Sequence, residues 1–183
     1  MKYLLVLLLL LNGCVYCKVD SVQGISIEKF REQVFTPEAA KALEKVSIFV
    51  GPLGFSKPNA GFAAGTSNWS YIPLMFLLGT TERSIIFENL PTRELLRHEY
   101  IHHLDDMTRD GEADFIRSEE FRAAKAYHPH LHYLLKSSRT WVTDTFGIGE
   151  SSEEIAWLGE KHSRIKAFSK MPHVYRKVFK DGK

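Results

Sequence analysis

His98 and His102 stand four residues apart in the stretch LLRHEYIHHLDD, residues 95–106, with Glu99 directly after the first histidine. On a helix that spacing projects both imidazoles from one face, about one turn apart, so both can reach one metal ion. Glu99 is rotated by about 100° from His98 and can stand beside a metal-held water without binding the metal. Zinc brings the pKa of such a water to about 7, and a nearby carboxylate takes its proton as the water attacks a carbonyl carbon. The chemistry that these three residue types spell is zinc-dependent peptide hydrolysis.

From the chain's own His and Glu frequencies, a random match to this five-residue pattern is expected roughly 3% of the time. Leu95, Leu96, Tyr100, Ile101, His103 and Leu104 leave the segment free of charge around the histidines apart from Arg97, so the helix can be buried. The alternative is a helix with its histidines on a solvated face and Leu95, Ile101 and Leu104 on a core. A zinc site also needs a third protein ligand. His103 points about 100° away from His102 and is poorly placed. A metzincin would carry glycine where this chain has Asp105 and a ligand where it has Thr108, so that class is excluded. The remaining candidates are His128, His130 and His132 in AYHPHLHYLL and the carboxylates of GESSEEIAW. The HPHLH run reads as a half-exposed turn into a helix and is the fallback source of a three-histidine site.

Several elements must position these groups. SIEKFREQVF and TPEAAKALEKV read as helices, the second capped by Thr36 with Pro37 in its first turn. SIFVG reads as a strand, and residues 51–70, rich in Gly, Pro, Ser and Asn, as mostly loop. RSIIFE, residues 83–88, reads as a second strand, followed by the motif helix over 92–108. The remainder reads as helices: SEEFRAAKAY, PHLHYLLK and SSEEIAWLGEKHSRIKAF, the last opened by a Ser151/Glu154 capping box. A few strands among helices, then helices alone, predict an α+β fold.

The chain has 183 residues, enough for one domain with a core, and 44% hydrophobic and 25% charged residues are ordinary for a soluble protein. A net charge of +2 with scattered Lys and Arg argues against a nucleic-acid partner. The C-terminal run YRKVFKDGK reads as a solvated helix face or tail. At the N-terminus one lysine precedes nine apolar residues and then small and polar ones, a secretory signal pattern too short to span a bilayer. Leu11-Asn12-Gly13-Cys14 resembles a bacterial lipobox, which would lipidate Cys14 and attach the protein to a membrane; ordinary cleavage after Cys17 is the alternative. Either way the fold must stand without internal disulfides.

HEYIHHLDD, then SEEF, then TFGIGESSEEIAWLGE resemble the catalytic domain of anthrax lethal factor and its small secreted relatives, the Pro-Pro endopeptidases. The resemblance runs from residue 83 to the C-terminus, and the region around Asn68, Trp69, Ser70 and Tyr71 is only loosely similar. It implies a zincin-like single domain of the gluzincin kind. The metal ligands carried over are His98 and His102, with Glu99 as general base. The family's aspartate after the second histidine falls on Asp105. Its third ligand, a glutamate three residues before an alanine on a downstream helix, falls on Glu153, with Ala156 following; a register shift of one would make it Glu154. One departure stands out. The family's tyrosine, seven residues before that glutamate, steadies the developing oxyanion, and here the position is Phe146. Losing one such donor costs about 10²–10³ in rate, unless Tyr71, Tyr127 or a histidine serves instead.

The sequence thus predicts a signal segment over residues 1–17, of ordinary or lipoprotein type, and a domain over 18–183. That domain would hold a small mixed sheet, an active-site helix and a mainly helical C-terminal half. The expected function is a secreted or surface-anchored monomeric Zn²⁺ endopeptidase acting on an extended protein segment laid along an edge strand, taken as residues 83–88. The alternative is a catalytically impaired zinc-bound module that holds a peptide or protein.

Overall fold

The computed structural model describes residues 16–51, 61–64, 83–116, 150–161, 175 and 177–180, with the backbone alone at 61–64, 150–153 and 161. The first elements are strands β1 (Cys17–Lys18), β2 (Ser21–Val22) and β3 (Ile25–Ser26). The β2–β3 hairpin turns at Gln23 and Gly24, both at positive φ (47° and 77°). Two-residue hairpin turns need that hand, which glycine adopts freely. Helix α1 (Ile27–Val34) follows, with the Ser26 hydroxyl accepting from the Lys29 N–H at 3.2 Å. Helix α2 (Pro37–Ala42) starts on the Thr36 cap as its sequence predicts, and a 3₁₀ turn (Leu43–Lys45) closes it.

Four strands form one mixed sheet, in the spatial order β1, β4 (Ser47–Val50), β6 (Ser84–Phe87), β5 (Gly61–Ala64). β4 and β6 run parallel from Ser47 opposite Ser84 to Val50 opposite Phe87, while β1 and β5 run antiparallel to their neighbours. Two expectations are corrected here. Residues 61–64, read as loop, are a strand, because their backbone pairs with β6 in spite of a weak local preference. β6 lies in the sheet interior, paired on both sides, so residues 83–88 cannot be the edge that receives a substrate. Its four consecutive buried residues, Ser84 to Phe87, fit an interior strand covered on both faces.

Helix α3 (Arg93–Arg109) carries the histidine pair. Thr92 caps it, accepting from the Leu95 N–H at 3.2 Å. Leu96, Tyr100, Ile101 and Leu104 are fully buried, and the burial of each such side chain contributes about 1.5–3 kcal/mol. α3 is therefore fixed on the side away from the histidines by Tyr100, which meets the Phe35 ring edge-on at 5.7 Å and stacks with Phe30 at 6.4 Å. On the histidine side it packs against helix α4 (Glu150–Lys161), whose Ile155, Ala156 and Leu158 are buried.

The C-terminal run corrects a further expectation. Tyr175, Val178 and Phe179 are buried rather than solvated, because residues three and four apart share one face. Their backbone ties down the start of α2: Thr36 donates from its N–H to Val178 O at 2.8 Å and from its hydroxyl to Lys177 O at 2.7 Å. Phe179 stacks on Phe35 at 5.6 Å, and the Arg97 guanidinium lies 5.7 Å over its ring. The described residues thus form a small mixed sheet with helices packed on it. The segments read as helices over 118–127 and 129–136 lie outside them, as do residues 1–15.

Candidate metal centre

On α3, positions 98, 102 and 105 lie within about 60° of one another around the helix axis, nearly opposite Tyr100. On that face Asp105 is buried, His98 and His102 are partly buried, and α4 reaches His98 through Glu160. The His98 and His102 rings lie 4.9 Å apart, inclined at 70°, and their Nε2 atoms approach to 3.2 Å. Two imidazoles on one tetrahedral zinc, with Zn–N bonds of about 2.0–2.1 Å, hold their nitrogens about 3.3–3.4 Å apart. The pair therefore has the spacing of two ligands to one ion. Glu99 is 5% exposed, next along the helix from His98. A carboxylate so buried must be offset by polar partners or by a cation.

Helix α4 brings a second carboxylate to this face. Glu160 Oε2 lies 3.3 Å from His98 Nδ1, with the two side chains 16% and 12% exposed. The sequence reading missed Glu160. The available signal was its spacing: residues 153 and 160 are seven apart, so they share one helix face with a drift of only about 20°. Glu153 itself lies on α4, one turn beyond its first residue, and its side chain is outside the described residues. The helix already includes Glu150, so Ser151 is not its cap and Glu154 is not the partner of a capping box. Phe146, His128, His130, His132, Tyr71, Tyr127 and Cys14 lie outside the described residues too. Among the described residues, no group of three or more His, Cys, Asp or Glu side chains is placed to hold one ion; His98 and His102 converge as a pair.

The neighbouring polar residues have structural work. His103 turns to the sheet, its Nε2 3.2 Å from Ser84 O. Burial, reinforced by the Arg83 charge, pushes its pKa down to about 3, so the ring is neutral and donates to that carbonyl. Asp105 is 3% exposed and pairs with Arg109 at 3.3 Å, one turn along. Thr108, at the position a metzincin would use as ligand, bonds Leu104 O at 2.8 Å and accepts from the N–H groups of Phe115 and Ile116. Arg83, 4% exposed, binds Asp110 at 2.9 Å and Glu112 at 3.0 Å and lies 3.6 Å from Asp106. Burial raises the Asp106 pKa, against the pull of Arg109 and Arg83. Carboxylates near a helix C-terminus oppose its dipole, and these arginines offset that cost and lock the end of α3 to β6.

No protein-family model, curated protein or solved structure matches the chain.

Proposed function

We propose that this chain is an exported zinc metallopeptidase of the gluzincin kind. The observation that carries the reading is the 3.2 Å approach of His98 and His102 Nε2, both partly buried, with the buried Glu99 between them in sequence. Imidazole nitrogens and a carboxylate are the donors Zn²⁺ takes, so the residues present fit the ion: His98, His102 and Glu153 would hold it. Zn²⁺ held there would supply a water acidified to a pKa of about 7 and polarise the scissile carbonyl. Glu99 would serve as the base that takes a proton from that water and returns it to the departing amine.

The substrate is an extended protein segment. Among the described residues, β5 has β6 on one side and nothing paired on the other, and it passes close to α3. It replaces residues 83–88 as the strand on which a peptide would add by backbone hydrogen bonds. Export rests on the sequence of residues 1–17. A cut after Cys17 would divide β1, where Cys17 pairs with Val50; processing before Cys14 leaves that strand whole and would anchor the protein by lipid. The second reading, a zinc-bound module that holds a peptide without cutting it, is favoured by Phe146 at the position of the family's tyrosine.

The test is cleavage of an unbiased peptide library by zinc-loaded residues 14–183, which keep β1 whole. Cuts that disappear in Glu99→Ala at equal zinc content support the peptidase, and their flanking residues define its preference. A folded, zinc-loaded protein that makes no cuts rejects it in favour of the binding module. Turnover that rises in Phe146→Tyr, by up to about 10²-fold, would mark the site as catalytic but short of one donor.

A further inference from the structure

We infer that Glu160 is a positioning residue for His98. Its Oε2 stands 3.3 Å from the buried Nδ1 of that ring, an ion-pair distance rather than hydrogen-bond geometry, and by drawing the ring proton to Nδ1 it would favour the tautomer whose Nε2 lone pair faces His102. The inference rests on the zinc reading above, but its evidence is the geometry of these two side chains. A histidine presents two nitrogens, and the hydrogen bond made by one decides which lone pair the other offers. Here Nδ1 stands 3.3 Å from Glu160 Oε2, while Nε2 stands 3.2 Å from its counterpart on His102. The two contacts lie at opposite ends of one ring, so Glu160 serves His98 from behind and is not itself a ligand in this arrangement. Both side chains are mostly buried, which strengthens the interaction and limits competition from water. Glu160 is held there by the next residue back: Gly159 lets α4 approach α3 so closely that a Cβ at that position would meet Ile101 Cγ1 at 2.7 Å.

Partners of this kind typically contribute 10–100-fold to metal affinity. The experiment compares full-length mature protein, Glu160→Ala, Glu160→Gln and Glu153→Ala. Zinc affinity is read by chelator competition, and the His98 tautomer by ¹⁵N NMR of the metal-free protein at pH 8. The inference expects the Nδ1–H form in the wild type, lost in Glu160→Ala with about a 10–100-fold weaker zinc affinity. Glu160→Gln, which keeps an acceptor of the same shape, should retain the tautomer and most of the affinity. Unchanged tautomer and affinity in Glu160→Ala would overturn the inference while leaving the zinc site intact. Loss of zinc in Glu160→Ala as complete as in His98→Ala, with Glu153→Ala unaffected, would also overturn it by making Glu160 the ligand. A wild type that binds no zinc but keeps the Nδ1–H tautomer would reject the zinc reading, and the zinc role of Glu160 with it, separately from its effect on the tautomer.

Discussion

Gly159 of α4 sits directly against Ile101 of α3, one helical turn from His98 on the same side, and leaves no room for a methyl group: a Cβ there would lie 2.7 Å from Ile101 Cγ1 and 3.2 Å from its Cδ1. This contact sets how closely α4 brings Glu160 to His98. Gly159→Ala should therefore cost about 1–3 kcal/mol of stability by overpacking, despite alanine's better helix propensity, and should weaken zinc binding. Combined with Ile101→Ala, the loss should be smaller than the sum of the two single losses, because the residues share one contact. Urea denaturation of the four proteins in the cycle checks this; strict additivity would mean that the two helices do not meet as described.

Arg83 should matter more to folding than its place outside the motif suggests. Its guanidinium is almost fully buried and serves three carboxylates. Arg83→Met should destabilise by about 3 kcal/mol, the low end for breaking a buried pair, because Asp106, Asp110 and Glu112 keep 25–50% of their side chains exposed and regain water. Arg109→Met removes a more exposed arginine, 57%, whose partner Asp105 is nevertheless buried, and should cost about 1–2 kcal/mol, less than Arg83→Met. Equal effects in denaturant melts would contradict the assignment of Arg83 as the buried anchor of α3.

What could be read in the sequence was what is decided locally. Thr36 caps its helix, a helix opens near Thr92, Ser84–Phe87 is a strand, and His98 and His102 share a face, all because the determining residues are within four positions of one another. β5 was hidden because Gly61–Ala64 has no strand pattern of its own and extends only beside β6. Without β5, β6 looked like an edge. Tyr175, Val178 and Phe179 were hidden by Arg176, Lys177 and Lys180 around them, so a buried clamp read as a charged tail. The spacing of Glu160 from Glu153 was visible, but its partner was not: which side chain it reaches depends on how α4 docks on α3, and that is set by Gly159 and Ile101. The ligand role of Glu153 came from family resemblance and stays a proposal.

Alkaline conditions should expose the C-terminal clamp. The Tyr175 hydroxyl donates to Ile155 O at 2.5 Å, and burial, with Asp105 nearby, raises its pKa well above 10. An unfolded chain releases that proton at about pH 10 whereas the folded one holds it, so the stability this group contributes is full below pH 10 and is lost as pH rises beyond it. Tyr175→Phe should lose about 1 kcal/mol at neutral pH and then fall less steeply than the wild type above pH 10. Tyr100, pushed up to about 12 by burial, adds to the wild-type slope in the same direction and remains in the variant, so the difference between the two proteins isolates Tyr175. Parallel stability curves would contradict a buried, neutral Tyr175.

The central claim is that His98 and His102 are two ligands of one zinc ion. X-ray absorption at the zinc edge on the metal-loaded protein tests it most directly. The account predicts one zinc per chain, with two imidazole nitrogens at about 2.0–2.1 Å and the rest of the shell oxygen, and no stoichiometric zinc in His98→Ala or His102→Ala. Failure of the wild type to take up zinc, or a shell unchanged by either substitution, would contradict it.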